Sequence, residues 1–330
     1  MDLWMDAIAI VLIALAIDFV IGEVPNAIHP LRWMGNILYF LDRHIKRGNP
    51  TVTKIKGFLC YLLVFVLFLG VAIIILAAVK HHFGEWPWIV VAALFFKVTF
   101  AVFSFRRHVK PIQNDLRNGD TESAASKVQM IVSRNTKGMD AEHIASSCTE
   151  TISENYVDSV VSPVTYFGLL GIVGCIMFRC ANLMDAMWGY RNEKYGDLGF
   201  FPAKFDDVLG YVTSRVSPVF IAIGAFIMRM NWRAAIPAAR REHAKTPSPN
   251  SGWPMTAFAA ALGISMEKKG VYVMGDGPLP TVDDITRCYH LLELSSILFL
   301  LAVTMPLYVF LGIHVQTGVE NYILELIGGI

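Results

Sequence analysis

The chain has 330 residues, 55% of them apolar and 17% charged, with a formal net charge of +1. That balance excludes an average soluble domain. With no basic excess to neutralise phosphates, it also excludes nucleic acid as a partner. The five cysteines (60, 148, 175, 180 and 288) form no CxxC pair and three lie in apolar segments, so reduced structural thiols are expected.

In chain order, the first apolar run covers about 4–22 and carries Asp6 and Asp18. No Lys or Arg precedes it, so it reads as a membrane span rather than a cleaved leader. The loop 23–56 holds Arg32, Arg43, Lys46, Arg47, Lys54 and Lys56 against Glu23 and Asp42, which makes it cytoplasmic by the positive-inside rule. A charge-free run of about 57–79 is the second span, and about 88–105, containing Lys97, is the third. Arg106, Arg107 and Lys110 follow it on the cytoplasmic side.

Residues 106 to about 159 are polar and read as a cytoplasmic helical insert. There Gly119-Asp120-Thr121-Glu122 predicts a turn and a helix start, with Thr121 as N-cap. Two further segments, about 160–181 and 216–230, are interrupted by Pro163, Gly168, Gly171, Gly174, Pro218 and Gly224. They are expected as buried or re-entrant helices, since such breaks at membrane depth survive only against protein. Polar loops fill 231–294, and about 295–313 is the last span. The expected fold is therefore all-α: a polytopic helical membrane protein, 1–330, forming one integral-membrane catalytic domain.

The chemistry concentrates between Glu150 and Arg215. Glu150, Glu154 and Asp158 fall at i, i+4 and i+8, so on a regular helix they share one face, with Asn155 beside them. Like charges one turn apart need an offset, either a divalent cation or a cationic side chain. The bland reading is a solvated helix face. The sharper one is a magnesium site, because that ion takes oxygen ligands from one or two carboxylates and substrate phosphates. Asn182 and Asp185 share another helical face, followed by Arg191, by the pair Asp206-Asp207 and by Arg215. For any one of these alone, a structural salt-bridge network serves equally well.

The segment 243–254, HAKTPSPNSGWP, predicts an ordered loop rather than regular structure, and Trp253 within it favours a substrate loop over a linker. No GxxxxGK[ST] motif occurs. Residues 18–35 place Asp18 and Glu23 at the mouth of the first span, followed by His29 and Arg32, the latter suited to phosphate or carboxylate.

Together these stretches resemble the membrane-bound adenosylcobinamide-phosphate synthase family of cobalamin biosynthesis (CobD/CbiB), from about Asp18 to Tyr272. The matching pieces include His29-Pro30-x-Arg32-Trp33-Met34-Gly35, Glu150-x3-Glu154-Asn155-x2-Asp158 and Asn182-x2-Asp185-x-Met187-x-Gly189-Tyr190-Arg191. Asp18…Gly22, Ser133-Arg134-Asn135-Thr136, Pro163, Asp206-Asp207-Val208, Arg215 and Ser248-Pro249-Asn250-x-Gly252-Trp253-Pro254-Met255 complete them. The chain departs from the family pattern at Gly22-Glu23-Val24, Arg134-Asn135-Thr136 and Asn182-Leu183-Met184-Asp185, where the family has Gly-Asp-Pro, Arg-Asp-Thr and Asn-Thr-Leu-Asp.

The resemblance implies an ATP-driven ligase in the cell membrane, multi-pass, with its site facing the cytoplasm. It would join a carboxylate of adenosylcobyric acid to aminopropanol phosphate or a close amino-alcohol phosphate, with Mg²⁺ neutralising the phosphates. Glu150, Glu154, Asp158, Asp185, Asp206 and Asp207 become candidate catalytic acids; Glu154, Asp158, Asp206 and Asp207 are the expected metal ligands. His29, Arg32, Arg134, Asn155, Asn182, Arg191, Arg215, Asn250 and Trp253 become candidate substrate contacts. Membrane lipid is an expected partner; a homo-oligomer or contact with other pathway enzymes is left open.

Two other classes compete. A Mg²⁺-dependent prenyl or lipid head-group transferase would show equivalent acid motifs on two helices, whereas Glu150–Asp158 and Asp185–Asp207 differ in spacing. A non-catalytic corrinoid-binding protein would carry charges inside its spans, and only Lys97 fits that.

Overall fold

The computed structural model describes residues 2–326. Its helices in chain order are α1 (Leu3–Val20), α2 (Pro30–His44), α3 (Pro50–Phe83), α4 (Glu85–Lys97), α5 (Ser104–Arg117), α6 (Thr121–Val128) and α7 (Ala141–Tyr156). After a π-helical turn, Val157–Val161, come α8 (Ser162–Leu170), α9 (Ile172–Trp188), α10 (Phe200–Ile227), α11 (Trp232–Glu242) and α12 (Gly252–Leu262). Strands β1 (Met266–Lys268) and β2 (Tyr272–Met274) pair antiparallel, Lys268 opposite Tyr272. The last helix, α13 (Val282–Leu326), contains π-helical stretches at Leu300–Thr304 and Tyr308–Gly312. The protein is an all-α polytopic membrane protein; α1, α3, α10 and α13 are long and apolar enough to cross a bilayer.

Local chemistry sets the helix ends. His29 accepts the Leu31 N–H and Pro30 opens α2; Asn49 accepts from Thr51 and Val52 and Pro50 opens α3. Gly84, at φ +82°, ends α3. Asp120, not the expected Thr121, caps α6 by accepting the Ser123 N–H at 2.9 Å. A carboxylate makes the stronger acceptor there, so Thr121 becomes the first helical residue. Asp140 caps α7 the same way through His143 N–H.

The spans differ from the hydropathy reading in two places. Within 88–105 the regular helix is short: α4 has 13 residues and ends at Lys97. Its Trp88, Ile89, Ala92, Ala93 and Phe96 are buried by protein, so their apolar character serves packing. Conversely, 216–227 belongs to the 28-residue α10, whose polar start hides a membrane-length helix. The expected segment 160–181 is a helical hairpin. Gly171, at φ +62°, turns the chain between α8 and α9, and a Cβ on Gly174 would lie 2.0 Å from the Tyr166 carbonyl.

The chain gathers into two compact units. Unit one comprises residues up to Ala101, Ser162–Leu209 and those from Leu300 onward; unit two comprises Val102–Val161 and Gly210–Phe299. In unit one, α8 approaches the π-helical part of α13 closely, since a Cβ on Gly312 would meet the Gly168 and Phe167 carbonyls at 2.6 Å. Nearby Gln316 accepts from Tyr308 Oη at 2.9 Å and donates to Glu320, which also takes the Trp88 indole N–H at 2.9 Å. In unit two, α7 packs on α12, α13 and the β hairpin.

Candidate active site

In unit one, α9 presents Arg179, Asn182 and Asp185 on successive turns, and α10 presents Asp206 and Asp207. Arg179, nearly buried, donates through Nε to the Thr99 carbonyl and through Nη1 to Asn182 Oδ1 at 3.3 Å. Asn182 in turn hydrogen-bonds Asp206. The other Asp206 oxygen, Oδ1, is buried and has no partner among the described residues. Burial, reinforced by the Asp207 charge, raises the Asp185 carboxyl from 3.8 to about 6. Gly189 is obligatory beside it: an added Cβ would sit 2.0 Å from Asp185 Oδ1. Lys204 bonds Asp207 at 3.3 Å.

His29 lies in the same unit. Its Nδ1 caps α2, and burial holds its pKa below the ordinary value, against the opposing charge of Glu23 and with help from Lys97 and Arg179. Lys97 forms a buried ion pair with Asp18 at 2.9 Å. Arg32 and Arg191 are exposed and have no side-chain partner among the described residues.

In unit two, α7 carries Glu150 and Glu154. Glu150 is buried and its four lone-pair directions are filled: Arg134 donates to Oε1 and Oε2 at 3.0 and 2.5 Å, Ser146 to Oε1 at 3.1 Å, and Tyr272 to Oε2 at 2.7 Å. The offset for the acid pair is therefore a guanidinium. Neither Glu150 nor Arg134 is open to metal or substrate without breaking this pair, and both are reassigned to holding the β hairpin on α7. Glu154 is an exposed residue of α7 whose carboxyl is nonetheless crowded by protein: that desolvation, and then the Glu150 charge, raise its pKa, while Lys268 and Arg134 act the other way. Asn155 is satisfied within its own helix, donating to Thr151 O at 2.9 Å and accepting from Ser159 at 2.8 Å. Asp158 sits on the π turn, which breaks the i, i+4, i+8 register that would have aligned all three acids.

The same unit holds a second cluster. Trp253 opens α12 rather than lying in a loop, and its ring stacks on His243 at 4.1 Å and 22°. The Arg215 guanidinium lies 5.1 Å from the Trp253 ring and 3.4 Å from that of Tyr211, which is exposed. Arg215 Nη1 also reaches Asn250 Oδ1 at 3.4 Å, an oxygen that Ser214 bonds at 3.3 Å. The preceding loop is pinned. Ser248 Oγ accepts from the Asn250 and Ser251 N–H groups, and a Cβ on Gly252 would lie 2.0 Å from the His243 carbonyl. This stack can hold an anion or a flat ring against Tyr211.

The profile of the CobD/Cbib protein family matches residues 11–292, most of the chain. The chain belongs to the CobD/CbiB family. It is 35% identical over 300 residues to the probable cobalamin biosynthesis protein CobD of Methanothermobacter thermautotrophicus, covering 90% of this chain and 97% of the relative. The cobalamin biosynthesis protein CobD of Dehalococcoides mccartyi is 32% identical over 284 residues, 86% of this chain and 92% of its own. That of Thermococcus kodakarensis, a probable cobalamin biosynthesis protein CobD, is 35% identical over 289 residues, 87% and 91% of the two chains. No solved structure matches.

For a CobD/CbiB chain, the expected metal ligands fall into two sets: Asp206 and Asp207 in unit one, Glu154 and Asp158 in unit two. Among the described residues no three His, Cys, Asp or Glu side chains converge to hold a metal unaided. The Asp206 pair nevertheless fits magnesium, since an unpartnered buried carboxylate oxygen suits an ion that completes its shell with water and phosphate. The sequence pattern did not single out Arg179 or Tyr272. The available signal for Arg179 was a single cation within an apolar segment.

Proposed function

We propose that this protein acts in cobalamin biosynthesis as an ATP-dependent ligase, joining an amino-alcohol phosphate such as aminopropanol phosphate to adenosylcobyric acid to give adenosylcobinamide phosphate. One observation carries most of the reading: Asp206 keeps a buried oxygen unpartnered beside Asp185, whose proton affinity is raised toward neutrality. Family membership supports the substrate class.

In this scheme a corrinoid carboxylate oxygen attacks the γ-phosphorus of ATP, the bond to the bridging oxygen breaks and ADP leaves. The amine nitrogen then attacks the acyl carbon, and phosphate departs with the C–O electron pair. Asp185, ionised at neutral pH yet more basic than an ordinary aspartate, takes the proton the nitrogen loses. Magnesium held by Asp206 and Asp207 would offset the phosphate charge. Arg179, through Asn182, fixes the orientation of Asp206. Arg215 is assigned to a carboxylate or phosphate of a substrate. The proposed setting is the cell membrane, with the site on the cytoplasmic side. Support comes from the segment after α9, where Lys194 bonds Asp42 of α2 at 2.9 Å and Asp197 approaches Lys54 at the start of α3 at 3.6 Å, both within the basic stretch 23–56.

The test is incubation of the purified chain with adenosylcobyric acid, MgATP and aminopropanol phosphate, read by mass spectrometry. An adduct of acid plus amine minus water, with one ADP and one phosphate per adduct, is expected. No adduct and no ATP consumption would overturn the proposal.

A further inference from the structure

A groove of about 460 Å³ lies in unit one, and none of the acids of α9 and α10 lines it. It is lined by His44, Ile45 and Lys46 at the end of α2 and by Lys56, Leu59, Cys60 and Leu63 on α3. The four α3 residues stand at i, i+3, i+4 and i+7, which makes one helical face. Its start is cationic and its continuation is apolar. Lys56 Nζ donates to the Lys46 carbonyl at 2.7 Å, so both lysines are gathered at one end of the groove.

Neither lysine has a carboxylate partner among the described residues. The neighbouring cations do, because Arg47 pairs with Asp42 and Lys54 with Asp197. His44 adds a ring whose Nδ1 is held by the Phe40 carbonyl at 2.8 Å. The wall is also preformed. A Cβ on Gly57 would lie 2.0 Å from the Leu198 carbonyl, so this turn of α3 is fixed against the chain behind it. On that other side Phe58 and Tyr61 pack on Phe201. Leu59 and Leu63 face outward, each 54% exposed.

We propose that this groove binds one anionic phospholipid, its phosphate on Lys46 and Lys56 and one acyl chain along Leu59 and Leu63. The occupant is set by complementarity. A soluble phosphate compound would use the lysines but leave two exposed leucines on a membrane-length helix idle. A zwitterionic lipid would satisfy the leucines but bring its own cation to the lysines. Position agrees, since the cationic end lies where the 34-residue apolar α3 begins, at the depth of head groups.

The experiment uses the purified full chain carried in phosphatidylcholine nanodiscs with graded phosphatidylglycerol, followed by native mass spectrometry of the released protein. One phosphatidylglycerol is expected to be retained in preference to phosphatidylcholine. Lys46→Gln with Lys56→Gln should cut that preference about tenfold. Arg43→Gln, a nearby cation outside the groove, should leave it unchanged. Leu59→Ala with Leu63→Ala should weaken retention without changing the preference for anionic heads. Equal retention of the two lipids, or equal loss in Arg43→Gln, would overturn the proposal. So would displacement of phosphatidylglycerol by millimolar inorganic phosphate, which would mean a soluble-phosphate site.

Discussion

Arg134 holds Glu150 through two guanidinium nitrogens, at 3.0 and 2.5 Å, and so ties up a carboxylate that the sequence offered as a candidate catalytic acid. Arg134→Met leaves a buried carboxylate facing Tyr272 and Ser146 alone. Removing one partner of such a pair costs on the order of 3 kcal/mol. The expected result is a clear fall in the thermal midpoint, partly restored in the double variant Arg134→Met/Glu150→Gln. If the double variant melts no higher than the single one, the pair is not what links the hairpin to α7.

Asp206→Asn separates chemistry from stability. The wild-type carboxylate has a buried oxygen without a partner, which an amide tolerates better. Turnover should fall at least about a hundredfold, while the thermal midpoint stays level or rises. Glu154→Gln should also lose turnover, with its fold intact. Activity within a few-fold of wild type in both variants would make these acids bystanders.

Asp185 gives a pH signature. Its carboxyl is raised from 3.8 to about 6, so between those values the folded chain holds a proton the unfolded chain has released. Stability contributed by that proton is present at low pH and is lost as pH rises through the window, levelling off above about 6. In EDTA the thermal midpoint should therefore decline from about pH 4 to 6 and do so less in Asp185→Asn. Adding Mg²⁺ at pH 7 should raise the wild-type midpoint more than that of the variant. Identical slopes for the two proteins would contradict the assignment.

Arg215 depends on its planar shape. Lying 3.4 Å from the Tyr211 ring and 5.1 Å from that of Trp253, it should not be replaceable by lysine. Arg215→Lys and Trp253→Ala are each expected to raise the KM for one anionic substrate about tenfold or more. Trp253→Phe should keep most of the affinity, because a ring remains. A normal KM in Trp253→Ala with poorer membrane insertion would make the indole an interfacial anchor instead.

The Lys54–Asp197 contact makes a topological prediction. A cysteine at 197 and one at 43 should react with an impermeant maleimide from the same side of the membrane, the cytoplasm. The five native cysteines are buried, so the background is low. Opposite-side labelling would mean that the contact does not form in the membrane.

Hydropathy located α1, α3 and the last helix because each contains a long run without competing signals. At 88–105 it marked a stretch whose regular helix, α4, is 13 residues long and packed against protein; lipid and protein interior select the same residues. It fell short at α10, where Lys204, Asp206, Asp207 and Pro218 dilute the helix that 216–230 only partly showed. For the site, the acids could be read from their spacing and from the resemblance. What they touch could not. Arg134 reaches Glu150 from a turn 16 residues earlier, and Tyr272 from a hairpin 122 residues later. The π turn at Val157–Val161 leaves no mark in the residue pattern that would warn of its register shift.

The two units interleave along the chain: the first is built from three separate stretches and the second from two. During synthesis, then, the first unit waits for its own end. Its opening helices enter the bilayer long before Gly312 and Gln316 exist to close against α8, and the second unit is translated in the interval. No single truncation releases either unit whole. A nascent chain stalled before residue 300 would carry Trp88 without Glu320, and Gly171 without the partner that fills the space beside it. Quality control acting on such intermediates would meet a membrane protein whose interior opens to lipid until the last helix arrives.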